Sequence, residues 1–319
     1  MLNKLTKTPT FQDIATVHQA IAPFIHRTPV LQSESINRIA GATLFFKCEN
    51  FQKIGAFKMR GACSAGLALT KEERVRGLAT HSSGNHAQAV AMTAKQMNIP
   101  AYIVMPENSP EVKRKATAGY GAHITLCKPT LQAREQTLSE VVADTGATFI
   151  HPYNHYDVIA GQATCAKELI EEVDALDTII APIGGGGLMS GTAITTRHLL
   201  PQARIVGAEP KLVNDAYLSW KAGHIVKNTR TDTIADGLKT NLGEKTFAVI
   251  QQYVDDIITV SEAEIIAAMR LIWERMKIII EPSCAVVLAI VLQQKEKFAG
   301  QRIGLIITGG NVDVGQLPF

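Results

Sequence analysis

The sequence predicts an α/β protein built from two parallel-sheet domains, and three observations lead there. Short β-branched runs alternate along the chain with longer segments of helical period, the pattern of successive βαβ units. Strands joined through helices pair in parallel, in sheets buried on both faces. The length, 319 residues, exceeds what a single hydrophobic core usually organises, so two domains sharing a cleft are expected.

In chain order the expected strands are "TLFFKCE" (43–49), "GLATHSS" (77–83), "AYIVMP" (101–106), "HITLCK" (123–128), "TFIHP" (148–152), "TIIAPI" (178–183), "RIVGAE" (204–209), "DIITV" (256–260) and "IGLIIT" (303–308). Helices are expected between them at "HAQAVAMTAKQM" (86–97), "LMSGTAITTRHLL" (188–200) and "SEAEIIAAMRLIWERMK" (261–277). The last opens with a capping box, Ser261 and Glu264. No repeat, low-complexity tract or flexible linker interrupts the pattern, so composition alone does not locate the domain boundary.

An apolar fraction of 46% with 19% charged residues excludes a disordered chain. The net charge of +3 is small, and lysines and arginines are interspersed with acids, which argues against nucleic acid. Cys48, Cys63, Cys127, Cys165 and Cys284 are odd in number and never spaced C-x-x-C, as expected in a reducing cytoplasm. The longest apolar stretch, "CAVVLAIVL", falls well short of the roughly 20 residues needed to span a bilayer, so no membrane segment is expected.

Four segments invite a chemical reading. "FQKIGAFKMRGA" sets Lys58 among Phe, Ala, Met and Gly; it either snorkels from an amphipathic helix or serves as an active amine. "GLATHSSGNH" places Ser82, Ser83, Gly84, Asn85 and His86 between a strand and a helix, where backbone N–H groups can meet an anion or where Ser or Asn simply caps. "TIIAPIGGGGLMSG" puts Gly184, Gly185, Gly186 and Gly187 in the same position; such a run suits an anion nest. It matches neither the Walker loop nor G-x-G-x-x-G, although Glu209 at the end of the next strand keeps a dinucleotide site open. "IITGGN" ends a strand at Thr308, whose hydroxyl either faces a ligand or closes a turn. His151 and His155, separated by a loop containing Pro152, form no metal motif, and no G-x-S-x-G elbow is present.

Taken together, "GAFKMRGA", "SSGNHAQAVA", "VIAGQ", "GGGGLMSG", "TIADG", "EPSCAVV" and "TGGN" resemble the pyridoxal-phosphate enzymes that include serine/threonine dehydratases, serine racemases and 3-hydroxyaspartate ammonia-lyases. The resemblance covers essentially the whole chain, with the motifs in family order. It implies a tryptophan synthase β-like fold (fold type II), with residues 1–77 and 155–319 forming a large cofactor-binding domain and 78–154 a small, mobile substrate-binding domain. Lys58 would hold pyridoxal phosphate as a Schiff base and later take the Cα proton. Gly184 to Gly187 with Leu188 would cradle the phosphate, Phe57 would lie against the ring, Asn85 would bond its 3-oxygen and Thr308 its nitrogen. Ser82, Ser83, Asn85 and His86 would bind the substrate carboxylate.

The implied reaction is dehydration of L-threonine and L-serine to a 2-oxo acid and ammonia, with serine racemisation or 3-hydroxyaspartate cleavage as alternatives. Ser83 is the racemase-like choice and the candidate base for the second face; Tyr153 is more dehydratase-like. Arg134 matches a position that can meet a side-chain carboxylate. Glu209, Asp215 and the Val213 carbonyl match the family's divalent-cation site, for Mg²⁺ or Ca²⁺. A homodimer and a nucleotide effector are further implied partners. Two departures stand out: Ala56 and Thr308 replace the Ser that many members carry. No regulatory domain is expected beyond "TGGNVDV", unlike the feedback-inhibited biosynthetic threonine deaminase.

Overall fold

Ten strands form two separate sheets in the computed structural model, which describes residues 2–109 and 111–319. The strands are β1 (Val30–Leu31), β2 (Thr43–Cys48), β3 (Leu78–His81), β4 (Ala101–Pro106), β5 (His123–Cys127), β6 (Thr148–Phe149), β7 (Thr178–Pro182), β8 (Arg204–Pro210), β9 (Asp256–Val260) and β10 (Arg302–Ile307). The larger sheet runs β1-β2-β10-β7-β8-β9 and is parallel except at β1, which pairs antiparallel with β2 through Val30 and Lys47. The smaller runs β5-β4-β3-β6, entirely parallel and drawn wholly from residues 78–149.

The parallel register follows from the apolar runs. All of β7 and most of β2, β8 and β10 are buried, which only a sheet covered on both faces allows. One cover is the Pro282–Gln293 helix, apolar all round and buried from Pro282 to Val291; "CAVVLAIVL" is its centre. The Ser261 box is formed: Glu264 N–H donates to Ser261 Oγ at 3.4 Å, and Ser261 N–H donates to the Glu264 carboxylate at 2.7 Å.

Two expectations need correction, and one strand was not expected. β3 ends at His81, two residues early, because the chain turns through Ser82 to Gly84 into the next helix. β6 holds only two residues, since the chain beyond Ile150 leaves the sheet into the loop containing Pro152. β1 went unforeseen because two residues carry no readable period.

Candidate active site

The carboxyl ends of β3, β7 and β10 lead into the three loops singled out by sequence, and a fourth segment, residues 54–58, is stitched to the last of them. Ala56 bridges Gly309, Phe57 N–H donates to the Thr308 carbonyl at 3.0 Å, and Gly310 N–H donates to the Gly55 carbonyl at 2.9 Å. Lys58 then opens the Lys58–Leu67 helix, with Phe57 at its N-cap. Its half-buried ammonium donates to the Pro152 carbonyl at 2.9 Å, across to the loop that leaves the smaller sheet. Desolvation lowers the Lys58 pKa from 10.5 to about 8, against an opposing pull from the Glu281 carboxylate. The amine lies 5.1 Å from the centroid of the Phe57 ring.

The glycine loop meets the N-terminus of the Gly187–Leu199 helix, whose N-cap, Gly186, has φ +85° and no side-chain cap. Among the described residues, the N–H groups of Gly184, Gly185 and Gly186 donate to no protein acceptor. Those of Gly187 and Leu188 open the helix, where no intrahelical partner exists. Together they form a concave set of donors at the positive end of a helix dipole. The cradle is roofed by Tyr153: a Cβ on Gly185 would come within 2.3 Å of its ring, and one on Gly187 within 3.0 Å of its Cβ. Thr246 fixes the loop from below, its hydroxyl donating to the Gly185 carbonyl at 2.8 Å.

Asn85 is tied from three sides. Its amide donates to both Glu281 carboxylate oxygens, at 3.0 and 3.1 Å, and its carbonyl oxygen accepts from Asn311 Nδ2 at 2.8 Å. Asn311 also donates to the Ile54 carbonyl, so β10, the Lys58 segment and the smaller sheet meet at one point. Glu281, which sequence reading passed over, is buried, and desolvation followed by the Asp236 charge raises its pKa to about 7. The readable signal was an isolated acid at the head of the apolar run "EPSCAVV". Thr308 is buried directly after β10, one residue before Gly309, whose carbonyl accepts from Glu281 N–H.

The Asn85–Met97 helix has Gly84 as its N-cap, without a side-chain cap, so neither Ser nor Asn plays the capping part. Ser82 Oγ accepts from Gly84 N–H at 3.3 Å, and Ser83 lies half-buried between them. The buried His86 ring is bonded to the Ile150 carbonyl at 2.9 Å, and desolvation holds its pKa well below the usual value. Asn85 and His86 therefore offer an anion their backbone N–H groups. His151 accepts from the N–H groups of Tyr153 and Asn154 through Nδ1, and burial drops its pKa to about 4, while His155 faces Asp157; the two histidines do not converge on one point.

Arg134, on the Leu131–Thr145 helix, has a buried Nε without a partner. His81, at the end of β3, has its pKa lowered by burial; the Glu135 charge opposes this and the Arg134 charge adds to it. Glu209 and Asp215 lie apart from these loops, at the end of β8 and the start of the Asp215–Ala222 helix. Both are fully buried. Glu209 accepts from the N–H groups of Ala216 and Tyr217, and Asp215 from Leu242 N–H and the Asn228 amide. Burial and mutual repulsion push Glu209 well above the carboxylate range, and burial brings Asp215 to about 6. Val213 is buried beside them in sequence.

A family model described as pyridoxal-phosphate dependent enzyme matches residues 21–309. The chain is 49% identical over 311 residues to the beta-hydroxyaspartate dehydratase of Paracoccus denitrificans, covering 98% of this chain and 99% of that one. It is 49% identical over 314 residues to the serine racemase of Dictyostelium discoideum, covering 97% of each. The crystal structure of a T.th. threonine deaminase matches with TM-score 0.91 and 39% identity, over 96% of this chain and 99% of that one. Likeness of this extent, running through both sheets and every loop described above, shows that the chain belongs to the pyridoxal-phosphate dependent enzymes of fold type II, whose members near it are ammonia-lyases and racemases.

Proposed function

We propose that this protein is an ammonia-lyase for small L-β-hydroxy-α-amino acids: water is lost across Cα–Cβ, and the imine formed on tautomerisation takes up water again as it hydrolyses to ammonia and a 2-oxo acid. The observation that carries the reading is Lys58, an amine with its pKa brought to about 8, held by one carbonyl where the two sheets meet. The surrounding residues fit pyridoxal phosphate. Gly184 to Leu188 present free N–H donors to a phosphate, and a Cβ on any of the four glycines would crowd Tyr153, Thr246 or the backbone at Gly237.

Pyridoxal phosphate, when bound, withdraws electrons from the substrate Cα and so acidifies its proton. Lys58 would hold the cofactor and, once displaced by the substrate amine, act as the base at Cα; an amine titrating near 8 is well matched to that proton transfer at neutral pH. Asn85 would direct amide hydrogen toward the ring 3-oxygen while Glu281 and Asn311 keep its orientation. Thr308 would offer the ring nitrogen a neutral hydroxyl. Unlike a carboxylate, that hydroxyl would not hold the nitrogen protonated, so loss of the β-hydroxyl would follow closely on removal of the Cα proton by Lys58. The uncapped start of the Asn85–Met97 helix, with Ser82 and Ser83, would bind the substrate carboxylate. Residues 78–154 would close over it and exclude water.

Arg134 favours a second reading, 3-hydroxyaspartate as the preferred substrate. An arginine on the smaller-sheet side, with a buried, unpartnered Nε, suits a side-chain carboxylate. Glu209 and Asp215, with the Val213 carbonyl, would hold a divalent cation. Two buried facing carboxylates, bonded to no cationic side chain among the described residues, are stabilised by such an ion. The deciding experiment is a substrate panel with the purified holoenzyme, following 2-oxo acid release from L-threonine, L-serine and 3-hydroxyaspartate alongside D-serine formation. Arg134→Met should lower kcat/KM for 3-hydroxyaspartate by at least about 100-fold and change the threonine value little, since a buried bidentate pair contributes several kcal/mol. Equal losses on both substrates would remove Arg134 from specificity, and absence of 2-oxo acid from every substrate would end the lyase assignment.

A further inference from the structure

Directly behind Lys58 lies a cluster of charges that the reaction does not use. Arg60 is two residues farther along the same helix, on roughly the opposite face, and is fully buried. All five of its N–H donors are taken. Nε and Nη2 donate to the two Glu49 oxygens at 2.7 Å each, Nη1 and Nη2 to the two Glu168 oxygens at 2.8 and 2.7 Å, and Nη1 also to Thr164 Oγ1 at 3.1 Å. Lys47, also fully buried, donates to Glu168 and to the Thr28 carbonyl at 2.7 Å each; the Thr28 hydroxyl donates to Glu49 at 2.5 Å, and His18 Nε2 lies 3.1 Å from Glu168. Two cations and two anions thus balance, with every guanidinium hydrogen placed.

Stability does not require this arrangement. Well-packed apolar residues of similar volume usually serve a core as well as or better than a buried ion cluster. What the apolar packing beside it lacks is a key against rotation. The Lys58–Leu67 helix touches the Tyr156–Glu172 helix through glycines: a Cβ on Gly161 would come within 2.5 Å of the Arg60 carbonyl oxygen, and one on Gly61 within 2.3 Å of Gln162 Nε2. Such a contact is close but smooth. The lysine amine projects roughly 8 Å from the helix axis, so a turn of about 20° would carry it through about 3 Å. Productive geometry tolerates about 0.5 Å.

We propose that Arg60, clamped between Glu49 and Glu168, is a positioning residue that fixes the rotation of the Lys58–Leu67 helix and thereby aims the Lys58 amine. The proposal rests on the reading of Lys58 as the amine that holds the cofactor. Glu49 follows β2 directly and Glu168 lies on the Tyr156–Glu172 helix, so the clamp references the lysine to the larger sheet and to a neighbouring helix at once. A bidentate grip on both carboxylates opposes rotation in either direction.

The test compares three holoenzymes: wild type, Arg60→Lys, and the quadruple Lys47→Met/Glu49→Met/Arg60→Met/Glu168→Met, which leaves none of these four charges buried alone. The quadruple variant should melt no lower than wild type. Its dissociation constant for added pyridoxal phosphate, read by absorbance titration, should rise at least 10-fold, and kcat per loaded site should fall at least 100-fold with KM nearly unchanged. Arg60→Lys keeps the charge but cannot grip both carboxylates, and should lose at least 10-fold in kcat per loaded site; it decides the matter alone if the quadruple variant does not fold. Either variant, once folded, showing wild-type cofactor affinity and kcat would overturn the proposal. Borohydride reduction of the wild type separates the two readings: failure to fix the cofactor to the Lys58 peptide overturns the Lys58 assignment, whereas fixation together with unaffected variants overturns only the clamp.

Discussion

Lys58 shows how a single residue's surroundings become chemistry. Its pKa falls from 10.5 to about 8 because burial penalises the ammonium. Between those two values the unfolded chain binds a proton that the folded chain does not, so stability rises with pH across that window. Below about 8 both states are protonated and the full cost of burying the charge is present. In the cofactor-free protein, Lys58→Met should therefore raise Tm at pH 7, with the difference disappearing toward pH 11; a difference that grows with pH would contradict the burial argument. In the holoenzyme, Lys58→Ala should lose at least about 1000-fold in turnover, as removal of a nucleophile and base together does. Ser83 is the residue we propose divides the two family chemistries. Racemisation needs a proton donor and acceptor on the face of Cα opposite Lys58, and elimination from an L-substrate does not. Ser83→Ala should keep most L-serine dehydration and abolish D-serine formation, measured side by side; equal loss of both would refute the assignment.

At the scale of elements, the two helices that open at Gly84 and Gly186 share a departure from ordinary capping. Neither carries a side-chain cap, so their first N–H groups stay available to an external anion. The sequence makes the four glycines conspicuous, but Tyr153, the group they pack against, is contributed by a loop more than thirty residues upstream. Gly185→Ala should raise the dissociation constant for pyridoxal phosphate at least 10-fold, because its Cβ would come within 2.3 Å of the Tyr153 ring. Trimming the tyrosine in Gly185→Ala/Tyr153→Ala should recover part of that affinity. Strictly additive losses in the pair would place the effect elsewhere.

At the scale of the whole molecule, several polar contacts join the two sheets across the site. One is Asn85 with Glu281; another is an ion pair between Lys113, on the Glu111–Gly119 helix, and Asp236, at 2.7 Å. The lysine is 21% exposed and the aspartate 48%, so the pair is open to solvent and to salt. If residues 78–154 close over substrate, this pair favours the closed arrangement. Lys113→Ala should then raise KM about 2- to 5-fold, as expected for a contact contributing 1 kcal/mol or less, with Tm nearly unchanged. Wild type should approach the variant's KM as ionic strength increases. A salt-independent KM in the wild type would remove the pair from closure.

The α/β class, the parallel pairing, most strand positions and the glycine, lysine and Ser-Ser-Gly-Asn segments were legible in the sequence, because each depends on local pattern: apolar runs, helical period, or a residue type costly to keep without a purpose. Glu281, the Asn85–Asn311 bond, the Tyr153 roof and the Arg60 clamp were not. Every one of them joins residues distant in the chain. A buried arginine and an exposed one read alike along a sequence; only the fold determines that Arg60 meets Glu49 and Glu168 in the core while Arg134 keeps its Nε without a partner. Desolvation decides the chemistry of Lys58 and Glu281, and desolvation belongs to the packed molecule rather than to any segment of the chain.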